Sequence, residues 1–235
     1  MHGGAEEMLS VVYTETSEPG YNDMPNGGAM AEKDDQEHHL AEAKWFGLAM
    51  RMNLGWIIKL HNESRRLMQN QVFEIRQELE ACTDAKRKRD LIYVKEIYST
   101  TFGRMRNVNT FLMMYSFLEE FLYLLLKGMD EQQRLGRGSL QRFKRVFKTS
   151  LGMHLKTDAD WQFLITCAKL RNCLLHTNGR IDLSKIKAEL ERIVQTSNGL
   201  IECNLHRITL TDKFIEKMNT VLQRLIDKIE ERESS

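Results

Sequence analysis

The sequence has only two prolines, Pro19 and Pro25, and none after them. Proline fixes φ and removes a backbone donor, so its absence from the rest of the chain leaves long helices unopposed. Glycine is also sparse there: between Glu37 and Arg106 only Gly47, Gly55 and Gly103 interrupt the pattern. Four cysteines (Cys82, Cys167, Cys173, Cys203) show no paired spacing, which argues against a disulfide scaffold and for the reduced thiols of a cytoplasmic protein. An excess of one charge is missing as well. Lys and Arg number 34 against 33 Asp and Glu, so global charge selects no partner and local charge must. "MHGGAEEMLS" lacks the basic start and apolar run of a secretory leader. The most apolar stretch, "VNTFLMMYSFLEEFLYLLLKG", is interrupted by Glu119 and Glu120. Two acids at its centre are costly in hydrocarbon, so it reads as a core helix and no membrane partner is expected.

What is present is helical periodicity, which predicts an all-α fold. Residues 1–36 are expected to form a disordered acidic tail: they hold both prolines, Lys33 as their single lysine, many acids and few large apolar groups. Residues 37–107 are expected to be an N-terminal helical extension, a hairpin of two long helices with a turn at "CTDAKRKRD" and Asp84 as N-cap. Trp45/Phe46, Ala49, Trp56/Ile57 and Leu60 recur at helical spacing, and Leu91, Val94, Tyr98 and Met105 fall on one face of the second helix. Residues 108–235 form the third region, a helical domain. Its first helix, roughly 108–127, is apolar nearly all round and predicts a central helix covered on most sides, with Gly128 as its cap. Further helices are expected at about 139–151 with Ser139 as cap, from Asp158 towards His176, over about 184–196, and over about 212–232. "GLIECNLHRITLT" reads as extended. The methionines, Trp45, Trp56 and Trp161 are expected to pack.

The stretch "LRNCLLHTNG", residues 170–179, places Arg171, Asn172 and His176 in an otherwise apolar helix with a glycine stop. Asn172 and His176 are four apart and share a face. Arg171 and His176 are five apart, ~140° around a helix turning ~100° per residue. They converge only if the helix ends nearby, or if two copies of the helix end meet in a symmetric dimer. A guanidinium matches a phosphate bidentately, an imidazole moves protons near neutral pH, and an amide orients either. The set suits attack of an RNA 2′-hydroxyl on its neighbouring phosphate, with no metal and no cofactor. The bland alternative is an ion-paired arginine and a helix-terminal histidine that favours the dipole. Cys167, Cys173 and His176 lack further ligands at matching positions, so no metal site is expected. Residues 132–156 carry Arg134, Arg137, Arg142, Lys144, Arg145, Lys148 and Lys156 without an acid. Arg142, Lys144, Arg145 and Lys148 are the candidate RNA-backbone contacts, set against a merely solvated face. Lys86 to Arg89 reads as a solvated helix start.

"LRNCLLHTNGRI" resembles the signature of the HEPN superfamily (higher eukaryotes and prokaryotes nucleotide-binding domain): Arg, four to six residues, then His, often with a polar residue directly after the Arg. "YSFLEEFLYLLLK" is similar to the family's first helix, which commonly carries an acid, here Glu119 or Glu120 as supporting residues. "ITLTDKFIEKMNTVLQRL" is similar to its final segment. The resemblance covers roughly residues 108–232. It implies a HEPN-like helical bundle that dimerises, with Arg171, Asn172 and His176 of both copies in one cleft. It also implies a metal-independent endoribonuclease leaving 2′,3′-cyclic phosphate ends, a toxin or antiviral defence effector, and for a toxin an inhibitory partner protein. Family members without activity bind a nucleotide or a partner instead. A helical scaffold built on residues 37–107 is the third class. One of Glu119 and Glu120 is expected to be buried and paired with Arg171, because an unpaired buried carboxylate is costly.

Overall fold

Two aspartates mark where helices begin. Asp84 holds extended backbone angles and its carboxylate accepts from the Arg87 N–H at 2.7 Å, and Asp158 does the same for the Trp161 N–H at 2.9 Å. Each satisfies a donor that a helix start leaves orphaned. A computed structural model describes residues 28–129, 140, 143–144, 147–148 and 152–233, with side chains from Gly47 to Leu125 and at the later described positions up to Glu231. The chain divides into two units, Met1–Gln36 and Glu37–Ser235. Residues 1–27, most of the expected tail, lie outside the described residues, and 28–36 are helical.

The chain is mostly helical with one small sheet, an all-α bundle. Helix α1 spans Gly28–Ala81 and α2 spans Ala85–Glu96. A π-helical segment, Ile97–Phe102, carries α2 into α3, Gly103–Met129, with no non-helical residue between them. The rod α2–α3 runs antiparallel to α1. Near the turn Arg87 pairs with Glu78 at 2.6 Å, and farther along His61 Nδ1 lies 3.0 Å from Thr110 Oγ1. The second arm of this hairpin continues without interruption through residues 107 and 108 into the rest of α3.

The π segment has a consequence for phase. A π turn shifts the following residues by about one position, ~100° of rotation. Met105, which follows the segment and is predicted on the face of Leu91, is exposed where Leu91 is buried; Val94, which precedes the segment, is exposed independently of it.

Helix α4 spans Ala159–Thr177, a 3₁₀ turn covers Ile181–Leu183, and α5 spans Lys187–Gln195, starting later than the predicted Ser184. Strands β1, Ile201–Asn204, and β2, Arg207–Leu210, form an antiparallel hairpin, and α6 spans Asp212–Glu233. In the segment 139–151 the described residues are helical, with Leu140, Phe143 and Phe147 buried at helical spacing. Ser139 lies outside the described residues. Gly128 sits within α3 rather than capping it.

One apolar core joins these elements. Phe111, Met114, Leu118 and Leu122 of α3 are fully buried, as are Trp161, Leu164 and Leu170 of α4 and Phe214, Met218 and Val221 of α6. The Phe111 and Phe214 rings meet edge-on at 5.4 Å, and Trp161 meets Phe147 at 5.7 Å. Each such side chain contributes about 1.5–3 kcal/mol. Helix α3 is covered on most sides, as expected: Leu112, Met113, Phe117 and Leu124 are half-buried beside the fully buried stripe through Phe111 and Leu118, and only a narrow strip at Asn109, Ser116, Glu120 and Tyr123 is exposed. One expectation needs correction. Trp56 does not pack. Met50, Leu54 and Ile57 take the core face of α1, and one residue back from Ile57 turns the indole ~100° outward. It is 62% exposed, with the Lys59 ammonium 4.8 Å from its ring centroid. The Trp45 side chain lies outside the described ones.

A partly buried polar cluster ties α1, α3 and α6. Asp212 pairs with Arg106 at 2.5 Å and Arg65 at 3.4 Å, and His61 Nε2 stands 3.8 Å away. Arg106 also donates to Asn107 Oδ1, and the Asn107 amide donates to the Leu210 carbonyl at 2.8 Å. Burial raises the Asp212 carboxyl, but Arg106, Asn107, His61 and Arg65 outweigh it and hold it below its ordinary range.

Candidate functional site

The stop of α4 is built as its sequence dictates. Asn178 closes it in the left-handed region, φ 51 and ψ 36, and Gly179 follows at φ 79. The Gly179 N–H donates to the Cys173 carbonyl at 3.1 Å, and the Thr177 hydroxyl donates to the same oxygen at 2.7 Å. A Cβ on Gly179 would meet Leu174 Cδ2 at 3.2 Å and suffer the positive φ, so glycine is required. The Gly179 carbonyl then accepts from the Ile208 N–H at 2.9 Å, which anchors the helix end to β2.

Arg171 is half-buried. Its Nη2 lies 3.4 Å from Glu119 Oε2, its Nη1 lies 3.3 Å from Asn172 Oδ1, and its guanidinium carbon is 5.9 Å from the Tyr115 ring centroid. Glu119 is therefore the acid that meets Arg171, but it is half-exposed rather than buried; Glu120 is exposed and makes no such contact. A half-exposed pair at this distance contributes at most ~1 kcal/mol, so it orients the guanidinium more than it stabilises the fold. His176 and Asn172 are both exposed, on the outer side of the last two turns. Among the described residues no contact joins Arg171 to His176. The helix continues to Thr177, past His176, so the ~140° between them is kept within one chain.

Tyr115, one turn before Glu119 on α3, was not singled out by the sequence pattern. Burial, then the Glu119 charge, pushes its hydroxyl far above the ordinary phenol range, so it stays neutral beneath the guanidinium. The available signal was its i, i+4 relation to Glu119. Of the candidate RNA contacts, Lys144 is half-buried and Lys148 exposed, one helical turn apart. Arg142 and Arg145, with Arg134 and Arg137, lie outside the described residues. Cys167 and Cys173 are buried, and burial raises both thiols above their ordinary value. Among the described residues no group of three or more His, Cys, Asp or Glu is placed to hold a metal ion, and no helix is long and apolar enough to cross a membrane.

A cavity of about 870 Å³ lies elsewhere, between the start of α3 and the β hairpin, and none of Arg171, Asn172 and His176 lines it. Compared with known proteins, the chain matches no family model, and no curated protein or solved structure shows significant similarity to it.

Proposed function

We propose that this chain is a metal-independent endoribonuclease of HEPN type, working as a homodimer in which Arg171, Asn172 and His176 of two copies face one ribose–phosphate linkage. The observation that carries the proposal is the pairing of roles on one helix end. A guanidinium is held by Glu119, Asn172 and the Tyr115 ring, and one turn later an exposed imidazole stands free of any ion pair among the described residues. In the proposed reaction one His176 takes the 2′-hydroxyl proton and the oxygen attacks phosphorus. The bond to the 5′-oxygen breaks, and that oxygen takes a proton from the other copy's imidazole. The guanidinium stabilises the extra charge on the phosphoryl oxygens. The products are a 2′,3′-cyclic phosphate and a 5′-hydroxyl. A toxin or defence role, with an inhibitory protein partner, belongs to the same proposal.

The ~140° between Arg171 and His176 is why a second copy is needed. A surface for it is at hand: Leu48, Met52, Trp56 and Leu60 form an exposed apolar stripe at i, i+4 spacing along α1. A binding module is the second reading, favoured by the Glu119–Arg171 pair, which already partly neutralises the guanidinium.

Incubation of wild type with mixed RNA in EDTA tests the choice. Cleavage leaving cyclic phosphate ends, abolished by both His176→Ala and Arg171→Ala, supports the enzyme. Absence of any cleavage by a stable dimer supports the binding module.

A further inference from the structure

Strand alternation divides the β hairpin into two faces. Ile201, Ile208 and Leu210 point into the core, which leaves Glu202, Asn204, Arg207 and Thr209 on the outer face. That face forms one wall of the 870 Å³ cavity; the π segment and the first turn of α3, including Arg104, form the other. The volume lies within the range of small-ligand sites, roughly 300–1,000 Å³.

Four arginines line this cavity, and their partners differ. Arg180 is held by Asp182 at 2.6 Å, and Arg106 by Asp212. Arg104 and Arg207 are each half-buried, and among the described residues neither forms an ion pair. The carboxylates lining the cavity are Asp212, already shared among Arg106, Arg65 and His61, and Glu202, exposed on the strand. Two adjacent guanidiniums left without a counter-charge repel one another. Burial, and then the Arg207 charge, lower the Arg104 guanidinium below its ordinary value. A fold keeps such a pair at little benefit to its stability, whereas a multiply charged anion between them would relieve both.

We propose that the cavity binds an oligophosphate, a pyrophosphate or nucleoside polyphosphate, clamped between Arg104 and Arg207. An RNA backbone is the less suitable occupant. Strand binding tracks a row of unpaired cations along a groove, and here the flanking Arg180 and Arg106 already hold carboxylates. The hairpin tip adds a rim: Leu205 and His206 both take positive φ, 47° and 61°, and Leu205 stands 89% exposed at the cavity mouth. The site is separate from His176 and does not depend on the nuclease proposal.

Calorimetric titration of the full chain with pyrophosphate, ADP, inorganic sulfate and a short single-stranded RNA tests this. Pyrophosphate and ADP are expected to bind, each weakened about tenfold or more by Arg104→Gln and by Arg207→Gln. Arg207→Lys, which keeps the charge and the strand, is expected to bind between the two, and Glu202→Gln to bind as tightly as wild type or more so. His176→Ala is expected to leave these affinities unchanged. Equal affinity for sulfate, unaltered affinity in folded Arg104→Gln and Arg207→Gln, no binding of pyrophosphate and ADP, or binding of RNA alone would each overturn the proposal.

Discussion

Arg171 and Arg104 lie on helices of the same bundle and have opposite surroundings. Arg171 sits at an exposed helix end with a carboxylate, an amide and an aromatic ring already in reach. Arg104 lines a concave cavity with a second arginine for a neighbour and, among the described residues, no acid bound to it. In the proposed nuclease the first guanidinium is oriented but needs another copy to complete the site. The second lines an open cavity of its own chain beside another guanidinium. Proximity to a counter-charge thus separates the group assigned to the proposed transition state from the one assigned to a bound anion.

Crossing the variants breaks or sharpens this contrast. The largest effect is expected on RNA cleavage. His176→Ala should lower the rate by about a hundredfold or more, measured by product formation in EDTA, while Arg104→Gln leaves it within about twofold; equal losses would merge the two sites into one. Next in size is the ion pair that braces the cavity wall. Asp212→Asn leaves the mostly buried Arg106 uncompensated and should cost about 2 kcal/mol, between the values for surface and buried pairs, read from denaturant unfolding. The more exposed counterpart, Glu119→Gln, should cost at most ~1 kcal/mol. A reversal of that order would mean that Glu119, not Asp212, is the structural acid. Replacing Leu205–His206 by Asn–Gly should raise stability by about 1 kcal/mol, since both positions take the positive φ that a two-residue hairpin favours in Asn–Gly.

The smallest expected effect is on pH dependence. Burial and the Arg106 charge, against Asp212, hold His61 below its ordinary 6.5. The unfolded chain therefore takes up this proton first. The stability conferred by the neutral imidazole is full above pH 6.5 and declines as pH falls below it. Asp158, Asp160 and Asp212 lie below their ordinary 3.8, so their contribution is present above that value and is lost at lower pH. Unfolding followed against pH should show both declines, and His61→Gln should remove the upper one.

Local chemistry was legible in the sequence. Asp84, Asp158 and the Asn178–Gly179 stop are each fixed by residues within a turn of one another, and the apolar stripe of α6 follows from its period. The Glu119–Arg171 contact was anticipated in its partners but not in its exposure, because burial depends on which elements cover α3. Trp56 and Met105 show the same limit: period assigns a face, and neither the outward flank of α1 nor the phase shift at Ile97–Phe102 is written in the spacing. The Arg104–Arg207 cavity joins residues a hundred positions apart through a hairpin whose register sets which side chains face outward, so no local pattern announces it.

The central claim is that catalysis needs two helix ends in one cleft. Specific RNA-cleaving activity measured across protein concentration, alongside sedimentation velocity on the same samples, tests it most directly. Activity should rise in step with the dimer fraction and vanish at dilutions where the chain is monomeric. Full activity in the monomer, or a stable dimer that cleaves no RNA, would contradict it.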